Sequence, residues 1–583
     1  MALDPILQHA LDDARSGKLA AAVATVRRIV QRQPTNLPAI QVLGLLLMQD
    51  GQAEQAAHHL SRAVQMHPHL ANVRNNYASA LLALKRNREA VEQLRKAVEI
   101  QPEYAEGWMG LSCALMEVPD AEGAIAAARR GLELKPDWPD LANNLALSLG
   151  MAGRTEELAE AAEKGHLATP GHTKLHSLHL IMTNYTERPA AEVAASHRRF
   201  GELHPAAPGS KPAKPDPDPE RPLRIGWLSP DLRTHSVAFF AEPLFEHAAP
   251  GFESHVFSLY SSPKDAMTQR LKQKTASWEE VAALDDGGLD RRIREKRIDI
   301  LMELQGHTAG NRLCALVNKP APLIITAIGY PNTTGVPAVD YRLVDSITDP
   351  PGAESLSTER LLRIDPCFLC YKPPADAPEP AMPAADSPIT FGSFNTRSKI
   401  GPTTIALWLS ALEACPGSRL LLKSVDLTEE GTRAYLLSCI VAGGIDPARI
   451  EMLPGTATVP EHLALYSRMH IMLDTAPYNG TTTTCEAMWM GVPVVCLEGD
   501  RHAGRVSMSL VSAVGKSEWV AKNREDYARI AKELAGDLPR LADLRRELRG
   551  VMRSSVLCDG KGYADRFYSA ARQRWREWCS TQR

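Results

Sequence analysis

"IMLDTAPYNGTTTTCEAMWMGVPVVCLEG" (residues 471–499) predicts a strand, a turn, a short helix and a second strand in direct succession. The first apolar run ends at Asp474, and the Asn479-Gly480 pair supplies the turn. A second apolar run, "VPVVCLEG", follows the helix. Continuous apolar strands on either side of a helix are typical of a parallel sheet that is buried on both faces. This stretch therefore predicts an α/β fold.

The same alternation of apolar runs and helix-like stretches begins at Leu223 and continues to about residue 570. The other strand candidates are "LRIGWLSP" (223–230), "HVFSLYS" (255–261), "IDILMEL" (298–304), "LIITAIGYP" (323–331), "ITFGSFN" (389–395), "RLLLKS" (419–424) and "IEMLP" (450–454). A proline-rich bridge, residues 372–388, divides them into two series. We therefore predict two doubly wound, Rossmann-like lobes, residues 223–375 and 388–570, with ligand sites at the carboxyl ends of their strands.

No strand candidate is followed by the glycine-rich loop of a kinase-type or dehydrogenase-type phosphate site. Neither G-x-x-x-x-G-K-[ST] nor G-x-G-x-x-G follows any of the apolar runs. A pair of doubly wound lobes with a cleft between them instead suits an enzyme that binds a nucleotide sugar.

The first third of the chain is a repeat. Prolines recur every 34 residues, at Pro34, Pro68, Pro102, Pro136 and Pro170. Small residues keep the same spacing in a second column, which contains Ala22, Ala56, Ala90 and Ala124. This is the tetratricopeptide pattern, in which small residues let paired helices approach and the proline ends the second helix. Residues 1–170 are predicted to form an all-α superhelix whose concave face binds proteins or extended peptides.

Two segments join the repeats to the lobes. Residues 171–204 continue the helical pattern and are predicted to be a connector. Residues 205–222, "PAAPGSKPAKPDPDPERP", are rich in Pro, Ala, Lys and Asp and are predicted to be an extended linker.

Composition narrows the function classes. Among 583 residues, 66 Lys and Arg nearly balance 69 Asp and Glu, which argues against a nucleic-acid binder or a membrane-surface binder. No apolar run reaches the roughly 18 residues that a membrane span needs. The first residues lack the basic start and apolar core of a secretory signal, so a cytoplasmic location is expected.

The cysteines predict neither a disulfide framework nor a zinc site. Ten of them are scattered along the chain, and one C-x-x-C pair, Cys367 and Cys370, has no second pair at zinc-finger spacing. We interpret this pair as structural.

Four consecutive threonines stand where the strand ending at Asp474 gives way to a helix. Backbone N–H groups and the helix dipole favour an anion at such a place. The hydroxyls of Thr481, Thr482 and Thr483 add donors there, and Gly480 lets the backbone come close, so a diphosphate is predicted to bind. Glu486, on the first turn, is placed to accept hydrogen bonds from ribose hydroxyls. The alternative is an N-cap with spare threonines.

These features together resemble a known family, the protein O-glycosyltransferases of the O-GlcNAc transferase and SPINDLY type. The resemblance runs from the repeats to about residue 570. It is carried by "RIGWLSPDLRTHSVAFF" (224–240), "GYPNTTGVPAVDYRLVDSITDPP" (329–351), "CFLCY" (367–371), "GSFNTRSKIGP" (392–402) and "DTAPYNGTTTTCEAMWMGVP" (474–493). "GYPNTTG", "CFLCY" and "GTTTTCE" place the chain nearer the SPINDLY branch. The fold that the resemblance implies is a tetratricopeptide superhelix followed by a GT-B catalytic region.

The resemblance also implies roles on the nucleotide-sugar side of the cleft. Lys399 matches the family lysine that neutralises the leaving pyrophosphate, where negative charge develops. His462 matches a histidine beside the nucleotide base. Thr482 and Thr483 match the phosphate-binding pair, and Glu486 matches a ribose-binding acid that is Asp in the O-GlcNAc branch.

On the acceptor side, His235 matches a family histidine that has been proposed as the general base, a role suited to imidazole. The alternative is a histidine that only positions substrate. Asp231, four residues earlier, is expected to orient His235 or to contact the acceptor. His307 follows a strand and is a weaker candidate for the cleft wall.

No metal or other cofactor is expected. The D-x-D triplet Asp216-Pro217-Asp218 lies in the linker, whereas a metal-binding triplet should end a strand. The resemblance implies that Lys399, the threonines and the helix end replace the cation, and that transfer inverts the anomeric carbon.

The identity of the donor and of the partners is less determined. The O-GlcNAc branch has Gln, Lys and His where this chain has Thr396, Val459 and Thr481. UDP-GlcNAc is the usual donor of the wider family, SPINDLY-like members use GDP-fucose, and some bacterial relatives glycosylate flagellin from other donors. Expected partners are a protein acceptor bound by the repeats, its Ser or Thr receiving the sugar, and a second copy in a homodimer. The alternative from another class is an inactive repeat scaffold.

Overall fold

The computed structural model describes residues 4–261 and 265–582, and the chain divides into two compact units, Met1–Thr169 and Pro170–Arg583. The first unit consists of helices. They are α1 (Pro5–Arg15), α2 (Leu19–Arg32), α3 (Leu37–Gln49), α4 (Ala53–Met66), α5 (Ala71–Ala83), α6 (Asn87–Ile100), α7 (Ala105–Glu117), α8 (Ala121–Leu134), α9 (Pro139–Met151) and α10 (Thr155–Ala168). The all-α repeat architecture predicted from the sequence is confirmed.

The repeated prolines end the even-numbered helices. Each of these helices stops two residues before a proline, and the residue between has left the helical region, with φ from −142° to −131° and ψ from 64° to 86°. These five residues are Gln33, His67, Gln101, Lys135 and Thr169. A proline ring disfavours the α conformation of the residue before it, so the 34-residue spacing sets the helix ends.

The alanine column is where paired helices meet. Ala22, Ala56, Ala90 and Ala124 are almost completely buried. At Gly44, whose equivalents 34 residues apart are Ala78, Ser112 and Ala146, a Cβ would lie 2.8 Å from the Leu60 side chain. A larger side chain at such positions would push the helices apart, which is why small residues recur there.

The second unit starts with two helices, α11 (Thr173–Thr183) and α12 (Ala190–Leu203), and the linker that follows them has neither helix nor strand. The first lobe contains β1 (Leu223–Ser229), α13 (Ser236–Glu246), β2 (Phe252–Ser258), α14 (Ala266–Lys272), β3 (Ser277–Glu280), α15 (Asp286–Glu295), β4 (Ile300–Glu303), α16 (Leu313–Leu316), β5 (Leu323–Thr326), β6 (Tyr341–Val344) and β7 (Arg360–Arg363).

The second series of elements follows the proline-rich bridge. It contains β8 (Thr390–Ser393), α17 (Pro402–Ala414), β9 (Arg419–Lys423), α18 (Glu430–Ala442), β10 (Ile450–Leu453), α19 (Val459–Ala464), β11 (Ile471–Leu473), α20 (Thr482–Trp489), β12 (Val494–Leu497), α21 (Val506–Ala513), β13 (Val520–Ala521), α22 (Arg524–Ala535), α23 (Leu538–Arg553) and α24 (Gly560–Gln582).

The two sheets have the same topology. The first runs β3-β2-β1-β4-β5-β6-β7 and the second β10-β9-β8-β11-β12-β13, with every paired strand parallel. In each sheet the strand order reverses beside the first strand, between β1 and β4 and between β8 and β11. Doubly wound sheets bind ligands at the carboxyl ends of the strands at such a switch point. The predicted fold of two Rossmann-like lobes is therefore confirmed.

Helix α24 crosses back to the first lobe. Tyr563, Phe567, Tyr568 and Trp575 on this helix are buried in the same apolar core as Trp227 of β1. The helix begins inside the range predicted for the second lobe, 388–570, yet its apolar face completes the first. No helix in the described part of the chain is long and apolar enough to cross a membrane.

Candidate active site

Asp474 organises the loop between β11 and α20. It follows β11 directly, and its Oδ1 accepts hydrogen bonds from Gly480 N (2.8 Å) and from Asn395 Nδ2 (3.1 Å) at the end of β8. A Cβ on Gly480 would lie 2.6 Å from Thr484 Oγ1 and 2.7 Å from Thr483 Oγ1. Glycine is therefore required at position 480, because the loop closes tightly against the start of α20.

The four threonines separate into two groups. Thr484 is buried and its hydroxyl pairs with Ser507 Oγ at 2.8 Å, so it is part of the core. Thr481, Thr482 and Thr483 are only partly buried, and helix α20 begins at Thr482. Thr481 is the N-cap residue but makes no side-chain capping bond, so the N-cap alternative does not account for it. The Thr483 hydroxyl donates to Asn395 Oδ1 at 3.0 Å, so the first turn of α20 has its N–H groups and the Thr481 and Thr482 hydroxyls for a ligand.

Lys399 reaches this loop from the other side of the switch point. It ends a short 3-10 helix after β8, and its Nζ donates to Asn479 O at 2.6 Å. The ammonium also lies 4.0 Å from the centre of the Tyr478 ring. Burial lowers the pKa of Lys399 to about 8, against the opposing effect of Asp474. A lysine held here places a positive charge beside the N-terminus of α20.

A second network fixes Glu486 on the same helix. His462 of α19 donates from Nε2 to Glu486 Oε2 (2.9 Å), and Lys423 Nζ, at the end of β9, donates to His462 Nδ1 (2.8 Å). Tyr466 donates its hydroxyl to the same Oε2 at 3.2 Å. Both bonds to Glu486 use one carboxylate oxygen, so the other oxygen remains for a ligand hydroxyl.

Asp231 and His235 lie at the carboxyl end of β1, in the first lobe. His235 is the N-cap of α13, where its Nδ1 accepts from Val237 N at 3.3 Å and lies 3.7 Å from Asp231 Oδ1. Its side chain is 38% exposed. Burial lowers the pKa of His235, and Asp231 acts in the opposite direction. These contacts of the pair lie within the first lobe.

The structure thus groups the predicted residues by lobe. Gly480, Thr483 and Lys399 meet around the loop after β11, His462 and Glu486 form a second contact, and Asp231 pairs with His235. Four residues that hold these groups together were not predicted from the sequence, namely Asn395, Lys423, Tyr466 and Tyr478. Asn395 and Lys423 stand at strand carboxyl ends, and that position alone was the available signal.

Three other residues considered in the sequence analysis, namely His307, Cys367 and Cys370, are buried in the protein core. His307 is buried with both ring nitrogens engaged, by Ser177 Oγ (3.0 Å) and Thr334 O (2.8 Å), so it is unavailable to a substrate. Cys367 and Cys370 are buried free thiols. Among residues 4–261 and 265–582, no group of three or more His, Cys, Asp or Glu is arranged to hold a metal ion.

Models of two known families together match most of the chain. The model of glycosyl transferase family 41 matches residues 205–370 and 381–567, and a tetratricopeptide repeat model matches residues 47–112. The first match contains every element of the candidate site described above.

Curated relatives support the predicted branch. The chain is 41% identical over 390 residues to the Arabidopsis thaliana protein named probable UDP-N-acetylglucosamine–peptide N-acetylglucosaminyltransferase SPINDLY, and 26% identical over 416 residues to the protein of that plant named SEC. These matches cover 65% and 69% of this chain but only 42% of each relative. The chain therefore spans about two fifths of the length of these relatives. The higher identity to SPINDLY confirms the branch predicted from the motifs.

A solved structure extends the likeness over both units. A variant of the Thermobaculum terrenum O-GlcNAc transferase superposes with a TM-score of 0.78 at 32% identity, covering 88% of this chain and 98% of that one. Repeats, two parallel sheets and their order along the chain are shared. Because the family model covers more than half of the sequence, the chain belongs to glycosyl transferase family 41.

Proposed function

We propose that this chain transfers a sugar from a nucleoside diphosphate donor to Ser or Thr hydroxyls of proteins. The observation that carries the proposal is the loop around Gly480, where the Lys399 ammonium and three partly exposed threonines surround the N-terminus of α20. Such an arrangement suits a diphosphate, because a cation, hydroxyl donors and helix N–H groups all lie at the N-terminus of α20 and can each bind a phosphate oxygen.

The reaction follows from where charge develops. The hydroxyl oxygen of the acceptor attacks the anomeric carbon, the bond from that carbon to the β-phosphate oxygen breaks, and the configuration inverts. Negative charge then grows on the departing diphosphate, beside Lys399, Thr482 and Thr483. Groups that are already in place before the reaction stabilise that charge without reorganising, and in many enzymes this stabilisation contributes more to the rate than any other effect.

Lys399 can stabilise this negative charge because its ammonium group is held in place by two contacts. Its Nζ donates to Asn479 O and lies over the face of Tyr478. An ammonium has three donors, so further hydrogen bonds remain for phosphate oxygens. Glu486, fixed by His462 and Tyr466, presents its second oxygen to the ribose in the same proposal.

His235 acts as a positioning donor in this geometry. Because its Nδ1 accepts the Val237 N–H, the neutral ring carries its proton on Nε2, and that nitrogen donates rather than accepts. A general base would need that nitrogen unprotonated. The proton of the acceptor hydroxyl is therefore assigned to an oxygen of the departing diphosphate, and the hydrogen bond from Val237 N keeps His235 in orientation.

The donor and the partners follow the family. UDP-GlcNAc, which the names of the curated relatives contain, is the first donor to test, and GDP-fucose is the alternative from the SPINDLY likeness. The repeats bind the acceptor protein on their concave face. No metal or other cofactor is required in this proposal, because Lys399, the hydroxyls and the helix end take the role of a cation.

The test measures ligand binding first. Melting temperatures are recorded with UDP, GDP, UDP-GlcNAc and GDP-fucose, for the wild type and for Lys522→Ala, which removes an exposed lysine from the same lobe. A ligand at 100 times its Kd stabilises the folded state by about 2.7 kcal/mol. A shift with one base only, equal in both proteins, identifies the nucleotide; mass spectrometry of candidate acceptors then detects the added sugar. No shift with any of the four would overturn the proposal and favour the inactive scaffold.

A further inference from the structure

The turn between α11 and α12, residues 184–188, contacts both lobes; we call it the connector turn. On the first-lobe side, Asn184 is completely buried. Its Nδ2 donates to the Tyr330 hydroxyl at 3.1 Å, and its Oδ1 accepts from Asn332 Nδ2 at 2.8 Å. Tyr330 is held in turn by His197 Nε2 of α12 at 2.7 Å. A buried amide satisfied on both sides fixes this end of the turn.

The second lobe holds the other end through Arg501, which lies in the loop after β12. Its guanidinium donates to Thr186 O at 2.6 Å and to Arg188 O at 2.5 Å. Arg501 is only 6% exposed, and burial lowers its pKa. Glu187 adds a hydrogen bond with the Thr403 hydroxyl, at the start of α17. Two carbonyls on one buried guanidinium make a specific attachment, because the planar fork fits only one arrangement of acceptors.

Tyr185 stands in the middle of the connector turn and lies against the lysine site. Its ring centre is 5.1 Å from that of Tyr478, and its hydroxyl interacts with the Ser398 side chain. Tyr478 has the Lys399 ammonium 4.0 Å from its ring centre. Tyr185, Tyr478 and Lys399 therefore form one stack, and Ser398 is the chain neighbour of Lys399.

We propose that the connector turn is a clasp between the two lobes and that Tyr185 is a positioning residue, which holds Lys399 in place through Tyr478. The assignment of Lys399 to a diphosphate rests on the proposed function; the clasp itself does not. Lysine has a flexible four-carbon stem, so its position depends on what surrounds it. One side of the Lys399 ammonium is covered by the Tyr478 ring. Tyr185 packs against that ring and limits its rotation.

The clasp also limits the exposure of the lysine, which is partly buried. The titratable groups that face Lys399 are Asp474, on the loop after β11, Tyr478 on the same loop, and Tyr185 on the connector turn. Burial is the main cause of the lowered pKa of Lys399, and the carboxylate of Asp474 opposes it. Removing the Tyr185 ring lets water reach Tyr478 and the ammonium, so the pKa of Lys399 should rise toward its ordinary value.

The experiment measures that pKa directly. Competitive labelling of lysine amines with an acylating reagent between pH 6.5 and 10.5, read by mass spectrometry at the Lys399 peptide, gives its titration without any ligand. The variants are Tyr185→Ala, Tyr185→Leu, which keeps apolar volume but no flat ring, and Tyr185→Phe, which keeps the ring. Thr186→Ala is the matched control, because it changes the same turn but leaves the carbonyl that Arg501 binds. UDP and GDP affinities are measured on the same proteins.

The expected result is a pKa of Lys399 near 8 in the wild type, Tyr185→Phe and Thr186→Ala, and a pKa between 9 and the ordinary value of 10.5 in Tyr185→Ala and Tyr185→Leu. Affinity for the nucleoside diphosphate that binds should fall about fivefold at pH 7 in the last two, because the flexible lysine stem is no longer held in position. The alkaline decline of that affinity should move to higher pH, because the pKa of Lys399 is higher. Only variants that circular dichroism shows to be folded at each pH are compared, because Lys399 in an unfolded chain would also titrate near its ordinary value. An unchanged pKa in folded Tyr185→Leu would overturn the clasp. A raised pKa in a protein that binds neither nucleotide would support the clasp and overturn the proposed function.

Discussion

The two lobes have the same strand order but different switch points. In the second lobe, after β8 and β11, Asn395, Asp474, Lys399 and the Gly480 loop are joined by hydrogen bonds of 2.6 to 3.1 Å. In the first lobe, after β1, His235 meets Asp231 at 3.7 Å and its side chain stays 38% exposed. One fold thus carries a charged, closely hydrogen-bonded site in one copy and a more exposed site in the other.

Under the proposed function, this difference matches the ligand assigned to each lobe. A nucleoside diphosphate has the same charge and shape in every catalytic cycle, so a site fixed in advance binds it best. A protein segment varies, and an open surface with few committed groups accepts more of them. Four measurements test this division between a fixed donor site and an open acceptor site.

The largest effect is expected from Lys399→Ala. It removes the cation from the fixed site, so the transfer rate should fall about 10³-fold, because the charge on the leaving diphosphate loses its stabilising partner. The measurement is kcat for sugar transfer to an acceptor protein, with Lys522→Ala as the control. Transfer above a tenth of the wild-type rate in Lys399→Ala would contradict the assignment of charge stabilisation to the second lobe.

The pH dependence of donor binding is the next largest effect. Burial lowers the pKa of Lys399 to about 8, so the cation is present below that pH and is lost above it. Affinity for the donor should be constant from pH 6.5 to 7.5 and about 100-fold weaker at pH 10. Lys399→Arg is the control, since arginine stays charged throughout and its weaker binding should not follow this curve. An alkaline decline shared by both proteins would place the titrating group elsewhere.

Gly480→Ala tests how closely the fixed site is packed. The added Cβ would meet Thr484 Oγ1 at 2.6 Å and Thr483 Oγ1 at 2.7 Å, so the loop must move away from α20. Donor affinity, measured by calorimetry, should fall about 30-fold. Gly431→Ala, where a Cβ meets nothing within 4 Å, should leave it unchanged. Equal affinities in the two variants would mean that the loop is less confined than the distances suggest.

His235→Ala should give the smallest effect and should separate the two lobes. Loss of a positioning donor is expected to lower transfer about tenfold while donor affinity stays within a factor of two. A general base would instead cost 10²-fold to 10⁴-fold. Rate and donor affinity are measured on the same protein, and a loss of donor affinity as large as the loss of rate would show that the two lobes share the donor.

Most strands were predictable from the sequence, and the four that were missed lie at or next to a sheet edge. β1, β4, β5 and β11 consist largely of apolar residues and, like β8, are buried throughout or nearly so, as a parallel sheet requires. The strands β3, β6, β7 and β13 were not predicted. β3, β7 and β13 are edge strands: β3 and β7 contain charged residues, and β13 is only two residues long. β6, next to an edge, contains Arg342, which is buried because it pairs with Asp349. A pattern of apolar runs cannot reveal a buried charge and the partner that neutralises it.

The candidate site, too, could be predicted from the sequence only in part. Lys399, the threonines and Glu486 were identified by a family resemblance and by the physics of a helix N-terminus. What holds them is long-range: Lys399 contacts a loop 80 residues away, and Tyr185 reaches Tyr478 across nearly 300 residues of sequence. Such contacts depend on how the lobes pack, and a single sequence carries no record of pairs that meet only in the folded chain.

The packing of α24 in the core of the first lobe affects the order in which the protein can fold during synthesis. Tyr563, Phe567 and Trp575 complete the core around β1, which is synthesised more than 300 residues earlier. On the ribosome, the second lobe is therefore translated in full before the first lobe can close its core. Although domains generally fold in the order of their synthesis, the apolar face of the first lobe that α24 covers stays exposed until this last helix has been made.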